Sequence, residues 1–203
     1  MSEILNVGIL AVQGAFAEHV QMFEKLGVHT FLIRQAADLT HPMDGLVLPG
    51  GESTVQGKLL RELDLFFSLK DQIDAGLPVF GTCAGMILLA KQLYNDPVVH
   101  FGVMDITVRR NAYGRQLGSF FTKSKFGNVS DVEMPFIRAP YIESVGSGVQ
   151  VLSVVDGKCV AAREKNMLAI SFHPEVAEEN TVHKYFIDMI VQSKKESPLV
   201  HSV

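Results

Sequence analysis

The stretch that decides the fold is residues 77–93, which read LPVFGTCAGMILLAKQL. Leu77 to Phe80 is a short apolar run typical of a buried strand, and Ala84 to Leu93 has the composition of a helix. Cys83 lies between them in the pattern small–x–nucleophile–x–small, which is that of a nucleophile elbow with cysteine in place of serine. The pattern therefore predicts a thiol at a helix N-terminus, where oriented N–H groups favour the thiolate. The N–H of Ala84 would supply half of an oxyanion hole.

On the N-terminal side of this turn, strand-like apolar runs alternate with helical segments. The alternation is typical of a parallel sheet with helices on both faces, because parallel strands need a crossover between them. Gly27 and Gly76 follow two of the helical segments, as helix-terminating glycines do. The predicted strands are Leu5–Val12, Val28–Ile33 and Asp44–Leu48, and the predicted helices are Phe16–Leu26, Val55–Leu63 and Phe66–Ala75.

The second half of the chain is rich in strands. The dipeptide Asp156-Gly157 predicts a tight hairpin turn, and Thr181–Gln192 predicts a final amphipathic helix before a frayed tail at 193–203. We expect one α/β domain over residues 1–192, a flavodoxin-like three-layer sandwich with a mostly parallel central sheet flanked by helices and a β-rich insertion. The predicted strands here are Phe101–Arg110, Leu117–Lys125, Val132–Arg138, Val149–Val155, Lys158–Arg163 and Leu168–Phe172.

Composition excludes several classes of function. Hydrophobic residues make up 47% of the 203 residues, enough to fill the core of one domain. The net charge is −4 with Lys and Arg scattered, so neither nucleic acid nor an anionic membrane is expected as a partner. The two cysteines form neither a disulfide framework nor a zinc-binding CxxC pair. The N-terminal apolar run is too short to span a membrane and lacks a signal-peptide layout, so we expect a cytoplasmic protein with Cys83 reduced.

The segment His173-Pro174-Glu175 supplies possible partners for the Cys83 thiol. A predicted strand delivers His173 at its end, and Pro174 favours an extended backbone before it. Glu175, two residues on, would then point the same way and fix the tautomer of His173, leaving the other ring nitrogen to take a proton from Cys83. A lone cysteine or a lone histidine is more often structural, as we expect for Cys159. The combination instead predicts a Cys83–His173–Glu175 catalytic triad.

The loop after the third strand, Pro49-Gly50-Gly51-Glu52-Ser53, is expected beside the elbow, because ligand loops lie at the carboxyl ends of parallel strands. Two glycines let backbone amides approach a ligand closely, and Gly51 could donate the second oxyanion hydrogen bond. The loop is not a phosphate-binding P-loop, since Lys58 is misplaced for that motif. On its own the stretch could equally be a plain turn.

Six stretches together resemble a known family, the class I glutamine amidotransferases. GTCAG (81–85) and SFHPE (171–175) carry the family resemblance. AVQGAFAEH (11–19), LPGGEST (48–54), RRNAYGRQ (109–116) and PFIRAPYIE (135–143) are similar to the glutaminase subunits of pyridoxal phosphate synthases in particular. The resemblance extends from Val7 to about Gln192 and implies hydrolysis of L-glutamine for vitamin B6 biosynthesis.

The resemblance assigns a role to each candidate residue. It makes Cys83 the nucleophile, His173 the general base and then acid, and Glu175 the carboxylate that orients the histidine. Because glutamine is a zwitterion, a guanidinium suits its α-carboxylate and a carboxylate suits its ammonium. The residues implied for the glutamine pocket are Gly50, Gly51, Glu52, Arg110, Ile137 and Arg138, and those for the oxyanion hole are Gly51 and Ala84.

The family also implies a partner. Ammonia released to water becomes ammonium, and no domain that could use it fits beside the α/β unit, so a separate acceptor is expected: a TIM-barrel pyridoxal 5'-phosphate synthase subunit. Gln13 and the segment Gly14 to His19 resemble the region that meets this synthase. We expect weak activity until docking completes the oxyanion hole. Amide hydrolysis by a thiolate needs neither a cofactor nor a metal, and none is implied.

Three alternatives remain open on sequence alone. The same triad could serve another pathway, such as imidazole glycerol phosphate or purine synthesis, since only the stretches at 11–19 and 109–143 favour vitamin B6. A hydrolase acting on γ-glutamyl peptides would need no synthase. A non-catalytic scaffold would keep the fold and bind the synthase, although it would not need the complete triad.

Overall fold

Ten strands of the described chain, residues 4–110 and 118–196 of the computed structural model, form one mixed sheet, and two more form a separate hairpin. Two short 3-10 helices span Ala36–Thr40 and Pro174–Val176. The α-helices are α1 (Phe16–Lys25), α2 (Ser53–Glu62), α3 (Phe66–Asp74), α4 (Ala84–Leu89) and α5 (Thr181–Glu196). The strands are β1 (Asn6–Leu10), β2 (His29–Ile33), β3 (Gly45–Leu48), β4 (Val79–Thr82), β5 (Ala90–Leu93), β6 (Met104–Arg109), β7 (Ser119–Phe126), β8 (Val129–Ile137), β9 (Tyr141–Val145), β10 (Gln150–Val155), β11 (Lys158–Glu164) and β12 (Met167–Ile170).

The main sheet has a parallel half and a mixed half. Its strand order is β2-β1-β3-β4-β12-β11-β9-β6-β5, with β10 pairing to β11. The strands from β2 to β12 in that order run parallel, whereas β11 pairs antiparallel with β12, β9 and β10. The predicted α/β class with a central sheet flanked by helices is confirmed. The parallel half contains the strands that precede the candidate site.

Both faces of the parallel half are buried. Along β3, Leu46 and Leu48 pack into a cluster that includes side chains of α2, α3 and α4. Val47, between them, points to the opposite face and packs with side chains of α1 and α5. This burial on both faces explains why the strand sequences are continuous apolar runs rather than alternating ones.

The helix predicted over Ala84–Leu93 ends early. α4 stops at Leu89, and residues 90–93 form β5, which pairs in parallel with β6. The N–H groups of Phe101 and Val103 donate to the carbonyls of Leu88 and Leu89 at 2.9 and 3.0 Å. These long-range partners satisfy carbonyls that an α-helix would otherwise bond to its own next turn. Tertiary pairing therefore overrides the local helical pattern.

Other boundaries also differ from prediction. β9 was not predicted, although it joins β11 to β6 in the sheet. β6 begins at Met104 rather than Phe101, and α2 begins at Ser53 rather than Val55. Short strands such as β9 have little periodicity of their own, so their existence depends on neighbouring strands.

The final helix is longer than predicted. α5 continues beyond Gln192 to Glu196, because Lys194 Nζ pairs with Asp44 Oδ1 at 2.7 Å and Asn166 Nδ2 donates to Ser193 Oγ at 3.3 Å. The remainder of the predicted tail, 197–203, lies outside the described residues. Neither α5 nor any other helix in the described ranges is long and apolar enough to cross a membrane.

The predicted hairpin turn at Asp156-Gly157 is confirmed. Asp156 has φ 50° and Gly157 has φ 73°, and the two residues connect the antiparallel strands β10 and β11. Positive φ at both central positions is what a type I′ hairpin turn requires, and Asp-Gly is one of the sequences that meets it.

The β7–β8 hairpin lies over the carboxyl end of the parallel strands. Phe126 and Phe136 of this hairpin are buried in the same cluster as Phe172, just before His173. The N–H of His173 donates to the carbonyl of Pro135 in β8 at 2.8 Å. The hairpin thus brings the end of β8, with Ile137 and Arg138, over the candidate site.

Close packing at Gly85 provides a test of this architecture. A Cβ at position 85 would overlap the carbonyl oxygen of Leu48, which the sheet holds in place. Gly85→Ala should therefore lower the free energy of unfolding by about 3 kcal/mol, despite the better helix propensity of alanine. Gly148→Ala is the matched control, because the nearest atom to its Cβ would be 3.9 Å away. Urea unfolding of both variants measures the difference, and equal stabilities would contradict the packing described here.

Candidate active site

The elbow predicted around Cys83 is present. Cys83 lies between β4 and α4 with φ 47° and ψ −99°. Positive φ is strained for a residue with a Cβ, and it persists only where the surroundings fix the backbone. The N–H of Cys83 donates to the carbonyl of Ile170 at 2.8 Å, which extends the pairing of β4 with β12. Gly81 and Gly85 pack so closely that a Cβ on Gly81 would lie 2.6 Å from the carbonyl carbon of Gly85.

His173 and Glu175 form a buried hydrogen-bonded pair. His173 Nδ1 lies 2.7 Å from Glu175 Oε1, and the two residues are 8% and 5% exposed. The predicted pairing is present, but the extended backbone predicted to produce it is not. Pro174 instead opens a 3-10 turn, and the N–H of Val176 donates to the carbonyl of His173 at 3.2 Å. The turn brings the carboxylate back to the ring, and Pro174 fits its first position because proline lacks an N–H.

The ring of His173 lies beside both Cys83 and Gly50. A Cβ on Gly50 would lie 2.5 Å from His173 Cε1 and 3.5 Å from the Cβ of Cys83. Burial disfavours the charged ring, but hydrogen bonds to Cys83 and Glu175 outweigh it and raise the pKa of His173 to about 10. Burial alone would raise the pKa of Glu175, but His19 and His173 hold it below its usual value.

A cavity of about 650 Å³ is lined by Cys83 and His173. Most of the candidate site residues line it, including residues of the loop after β3 and of the end of β8. Gly50 and Ala84 are not among the lining residues, and Ala84 is buried at the start of α4. The predicted residues that line it are Gly51, Glu52, Cys83, Arg110, Ile137, Arg138 and His173.

Several lining residues were missed by the sequence analysis. Ile87 lies one helical turn after Cys83, so the elbow and helix spacing could have identified it. Ser53 and Thr54 open α2 directly after the loop that begins at Gly50, and Gln13 was assigned only to a partner-binding region. The remaining missed residues, Ser119 and Pro140, have no signal in the sequence that points to a site.

Arg110 has unused hydrogen-bonding capacity within the described chain. Its Nη1 lies 3.4 Å from Asp96 Oδ2. Its Nε and Nη2 are buried without a hydrogen-bond partner among residues 4–110 and 118–196. Two neighbouring N–H donors on a guanidinium match the two oxygens of a carboxylate. Burial and the charges of Arg110 and Arg61 lower the pKa of His100 to about 4, so this ring is neutral.

The loop after β3 is bonded to the segment that precedes α1. Ala15 N–H donates to the carbonyl of Gly50 at 2.9 Å, and Glu52 N–H donates to Gln13 Oε1 at 2.8 Å. Gln56 Nε2 donates to the carbonyl of Gln13 at 3.0 Å. Because the C=O and N–H of a trans peptide point in opposite directions, the N–H of Gly51 points away from Ala15.

One residue of the expected partner-binding segment, His19, faces the interior. The resemblance placed Gly14 to His19 at the synthase, but the side chain of His19 is fully buried. Its Nε2 lies 3.5 Å from Glu175 Oε2, beneath the candidate triad. Ala17 and Glu18 remain exposed on the same helix, whereas His19 contacts the interior. No group of three or more His, Cys, Asp or Glu within the described ranges is arranged to hold a metal ion.

The α/β fold, the elbow and the buried histidine–carboxylate pair have the layout of a thiol hydrolase site. Comparison with known proteins identifies the family within this class. The chain belongs to the SNO glutamine amidotransferase family, whose model matches residues 9–192.

Individual relatives agree with this family assignment. The pyridoxal 5'-phosphate synthase subunit PdxT of Desulfitobacterium hafniense (strain Y51) is 53% identical over 190 residues, which cover 94% of this chain and 96% of the relative. PdxT of Haemophilus influenzae (strain PittGG) is 54% identical over 91% of this chain and 98% of the relative.

Solved structures give the same fold. A crystal structure of a glutamine amidotransferase has a TM-score of 0.86 at 38% identity and covers 91% of this chain and 98% of its own. PurLQS from Thermotoga maritima has a TM-score of 0.64 at 14% identity, covering 94% of this chain and 97% of its own, a likeness in fold alone.

The raised pKa of His173 predicts how stability depends on pH. Because the folded-state pKa, about 10, lies above the ordinary 6.5, His173 stabilises the fold fully below pH 6.5 and loses that contribution as pH rises through 10. Cys83→Ala removes one cause of the shift. The stability difference between wild type and Cys83→Ala should therefore be largest near pH 6 and shrink toward pH 10.

Urea unfolding at several pH values measures this difference. The control is the same Cys83→Ala change in a His173→Gln background, where the pH-dependent part should disappear. A difference between wild type and Cys83→Ala that stays constant from pH 6 to 10 would show that Cys83 and His173 are not coupled.

Proposed function

We propose that this chain is the glutaminase subunit of a pyridoxal 5'-phosphate synthase, hydrolysing L-glutamine to L-glutamate and ammonia for use by the synthase subunit. The observation that carries the chemistry is that Cys83 and His173 line one cavity, with His173 hydrogen-bonded to the buried Glu175. The pathway is supported by relatives more than 50% identical over more than nine-tenths of the chain, each of which is a synthase subunit.

In the proposed mechanism, the Cys83 thiolate attacks the side-chain amide carbon of glutamine. The resulting oxyanion accepts hydrogen bonds from the N–H groups of Ala84 and Gly51. His173, carrying the proton taken from Cys83, gives it to the departing nitrogen, and ammonia leaves as the C–N bond breaks. His173 then takes a proton from water, whose oxygen attacks the thioester. Collapse of the second intermediate releases glutamate, and the proton returns to Cys83.

The substrate's charged groups have matching partners in the cavity. Arg110 offers the α-carboxylate two N–H donors that have no partner among the described residues, and Asp96 orients the guanidinium through its remaining nitrogen. Glu52 offers a carboxylate to the α-ammonium across the cavity. Arg138 and Ile137 also line the cavity. Arg138 has φ 45°, and its N–H donates to the carbonyl of Gly118. This distribution favours free glutamine over a peptide, whose α-groups lack these charges.

The proposal also includes an acceptor for ammonia, a TIM-barrel synthase subunit that docks on this chain in the cytoplasm. The segment 13–15 is hydrogen-bonded to Gly50 and Glu52. A partner that contacts this segment would therefore shift the loop that carries the Gly51 N–H. Docking would thereby complete the oxyanion hole and stimulate glutamine hydrolysis, while coupling ammonia release to its use.

Glutamate release tests the nucleophile and the pathway together. Wild type and Cys83→Ala are each assayed alone and with the pyridoxal 5'-phosphate synthase subunit. Wild type should be stimulated by the synthase, and Cys83→Ala should lose at least about a thousandfold in rate in both settings, because no other thiolate is available to attack the amide. If Cys83 matters but the synthase has no effect, the triad is supported and the pathway assignment is wrong. Imidazole glycerol phosphate and purine synthases would then be tested as acceptors.

The carboxylate-binding role of Arg110 makes a separate prediction. Arg110→Gln should raise KM for glutamine about 100-fold with a smaller effect on kcat, because a charge-assisted bidentate contact to the substrate is lost. Asp96→Asn should raise KM less, about tenfold, since it weakens only the orientation of Arg110.

Arg109→Gln is the matched control for Arg110→Gln. Arg109 is adjacent in the chain, but its guanidinium bonds to Glu143 at 2.9 and 3.1 Å and does not line the cavity. Steady-state kinetics in complex with the synthase subunit distinguishes the two. Equal KM values for the Arg109 and Arg110 variants would contradict the assignment.

A further inference from the structure

A cluster of fully buried polar side chains lies beneath the candidate triad. His19 from α1, Thr82 at the end of β4 and His183 from α5 are all 0% exposed. His19 is central to this cluster: its Nδ1 lies 3.0 Å from His183 Nε2, and its Nε2 lies 3.3 Å from Thr82 Oγ1. The same Nε2 lies 3.5 Å from Glu175 Oε2. Elements distant in sequence therefore converge on the carboxylate of Glu175 from the side opposite His173.

The contacts are consistent with one arrangement of protons. Glu175 is an acceptor, so the His19 nitrogen that faces it, Nε2, should carry the hydrogen. His19 Nδ1 is then bare and accepts from Nε2–H of His183. His183 Nδ1, which has no hydrogen-bond partner among the described residues, is left without a hydrogen and so needs no acceptor. Both histidines are neutral in this arrangement.

Burial supports the neutral forms. Burial is the main reason that the pKa of His19 is lowered, although Glu175 and the neighbouring Glu18 act in the opposite direction and His173 adds to the lowering. Burial, with a smaller contribution from His19, lowers the pKa of His183 well below its usual value. These are the titratable groups that face the cluster: Glu175 and His173 near the cavity, His183 on α5, and Glu18 on the helix of His19 itself.

We propose that His19 is a positioning residue of the triad, donating from Nε2 toward the second oxygen of Glu175 while His183 fixes the tautomer of His19. Glu175 then has a histidine at each oxygen: His173 at Oε1, 2.7 Å away, and His19 at Oε2, 3.5 Å away. The inference rests on the proposed roles of Cys83, His173 and Glu175 as a triad.

The second donor matters because Glu175 is buried. Glu175 Oε2 has no hydrogen-bond partner within the described chain, although His19 Nε2 lies 3.5 Å from it. A buried carboxylate with one unsatisfied oxygen is more easily protonated or turned out of position. Either change would weaken its support of the protonated ring of His173. Loss of the His19 donor should therefore reduce the population of the Cys83 thiolate paired with protonated His173.

Two substitutions at His19 separate hydrogen bonding from packing. His19→Phe keeps a planar ring of similar size but removes the donor, whereas His19→Gln places an amide N–H near the position of Nε2. His183→Phe leaves the contact between His19 and Glu175 in place and removes only the group that sets the tautomer. Thermal unfolding of each variant shows which of them are folded.

The first measurement is steady-state glutamate release in complex with the pyridoxal 5'-phosphate synthase subunit. His19→Phe should lower kcat by about 10- to 100-fold with KM within about twofold of wild type, as expected for loss of an orienting partner rather than a substrate contact. His19→Gln should recover most of the loss, and His183→Phe should lose less than His19→Phe. Equal kcat losses in a folded His19→Phe and a folded His19→Gln would overturn the proposal.

The second measurement is the rate of Cys83 alkylation by iodoacetamide as a function of pH, in the isolated chain with Cys159→Ser as the common background. His19→Phe should slow alkylation near neutral pH and move the acid limb of the profile to higher pH, and His19→Gln should restore it. A purely structural role of His19 would change the melting temperature but leave this profile unmoved, which would overturn the proposal. Because the assay needs neither glutamine nor a partner, it gives an answer even if the proposed function is wrong.

Discussion

The constraint on which the site depends is the parallel register of β3, β4 and β12. Leu48 of β3 pairs with Gly81 of β4, and Ala169 of β12 pairs with the same glycine. All three strands therefore end at one edge of the sheet, where Gly50 and Gly51, Cys83 and His173 follow them. The glycines at 81 and 85 allow α4 to pack directly on the strands, so the turn between them is sharp enough to present the thiol at this edge. Without that close approach, the side chains would be near one another without facing one cavity.

The site is a connected series of polar side chains in an otherwise apolar interior. Cys83, His173, Glu175, His19 and His183 form a continuous series of buried groups that lies among the aromatic side chains packed between α1, α5 and the sheet. Buried polar groups are costly unless each is satisfied, so the series has little freedom to rearrange. The low polarity of the surrounding interior makes burial of these groups costly, and it also strengthens each charge-assisted contact between them.

Features fixed by local chemistry could be predicted from the sequence. The elbow follows from the glycines around Cys83, and the type I′ turn follows from Asp156-Gly157. The alternation of strands and helices follows from periodicity and identifies the class of fold. The pocket loop at Gly50 and Gly51 follows from its position after a parallel strand.

Features fixed by long-range contacts could not be predicted in the same way. β5 forms because β6 offers an edge to residues 90–93, which locally have a helical pattern. The pairing of Glu175 with His173 was predicted from an extended backbone, but a 3-10 turn produces it. His19 is separated from Glu175 by most of the chain, and an isolated Glu-His pair on a predicted helix gives no sign that one side chain is buried and the other exposed. The position of His19 beneath the carboxylate of Glu175 depends on how α1 packs against the sheet, which no local pattern in the sequence indicates.

α1 and the residue before it contact both the loop after β3 and the carboxylate of Glu175. The helix begins immediately after Ala15, whose N–H holds the carbonyl of Gly50, and one turn later it places His19 against Glu175. The loop that contains Gly51 and the carboxylate of Glu175 therefore share one support. Because interiors are close-packed and helices move as rigid bodies, a shift of α1 by a fraction of an ångström would be felt at both places together. The exposed face of this helix, with Ala17 and Glu18, lies on the same rigid element as His19.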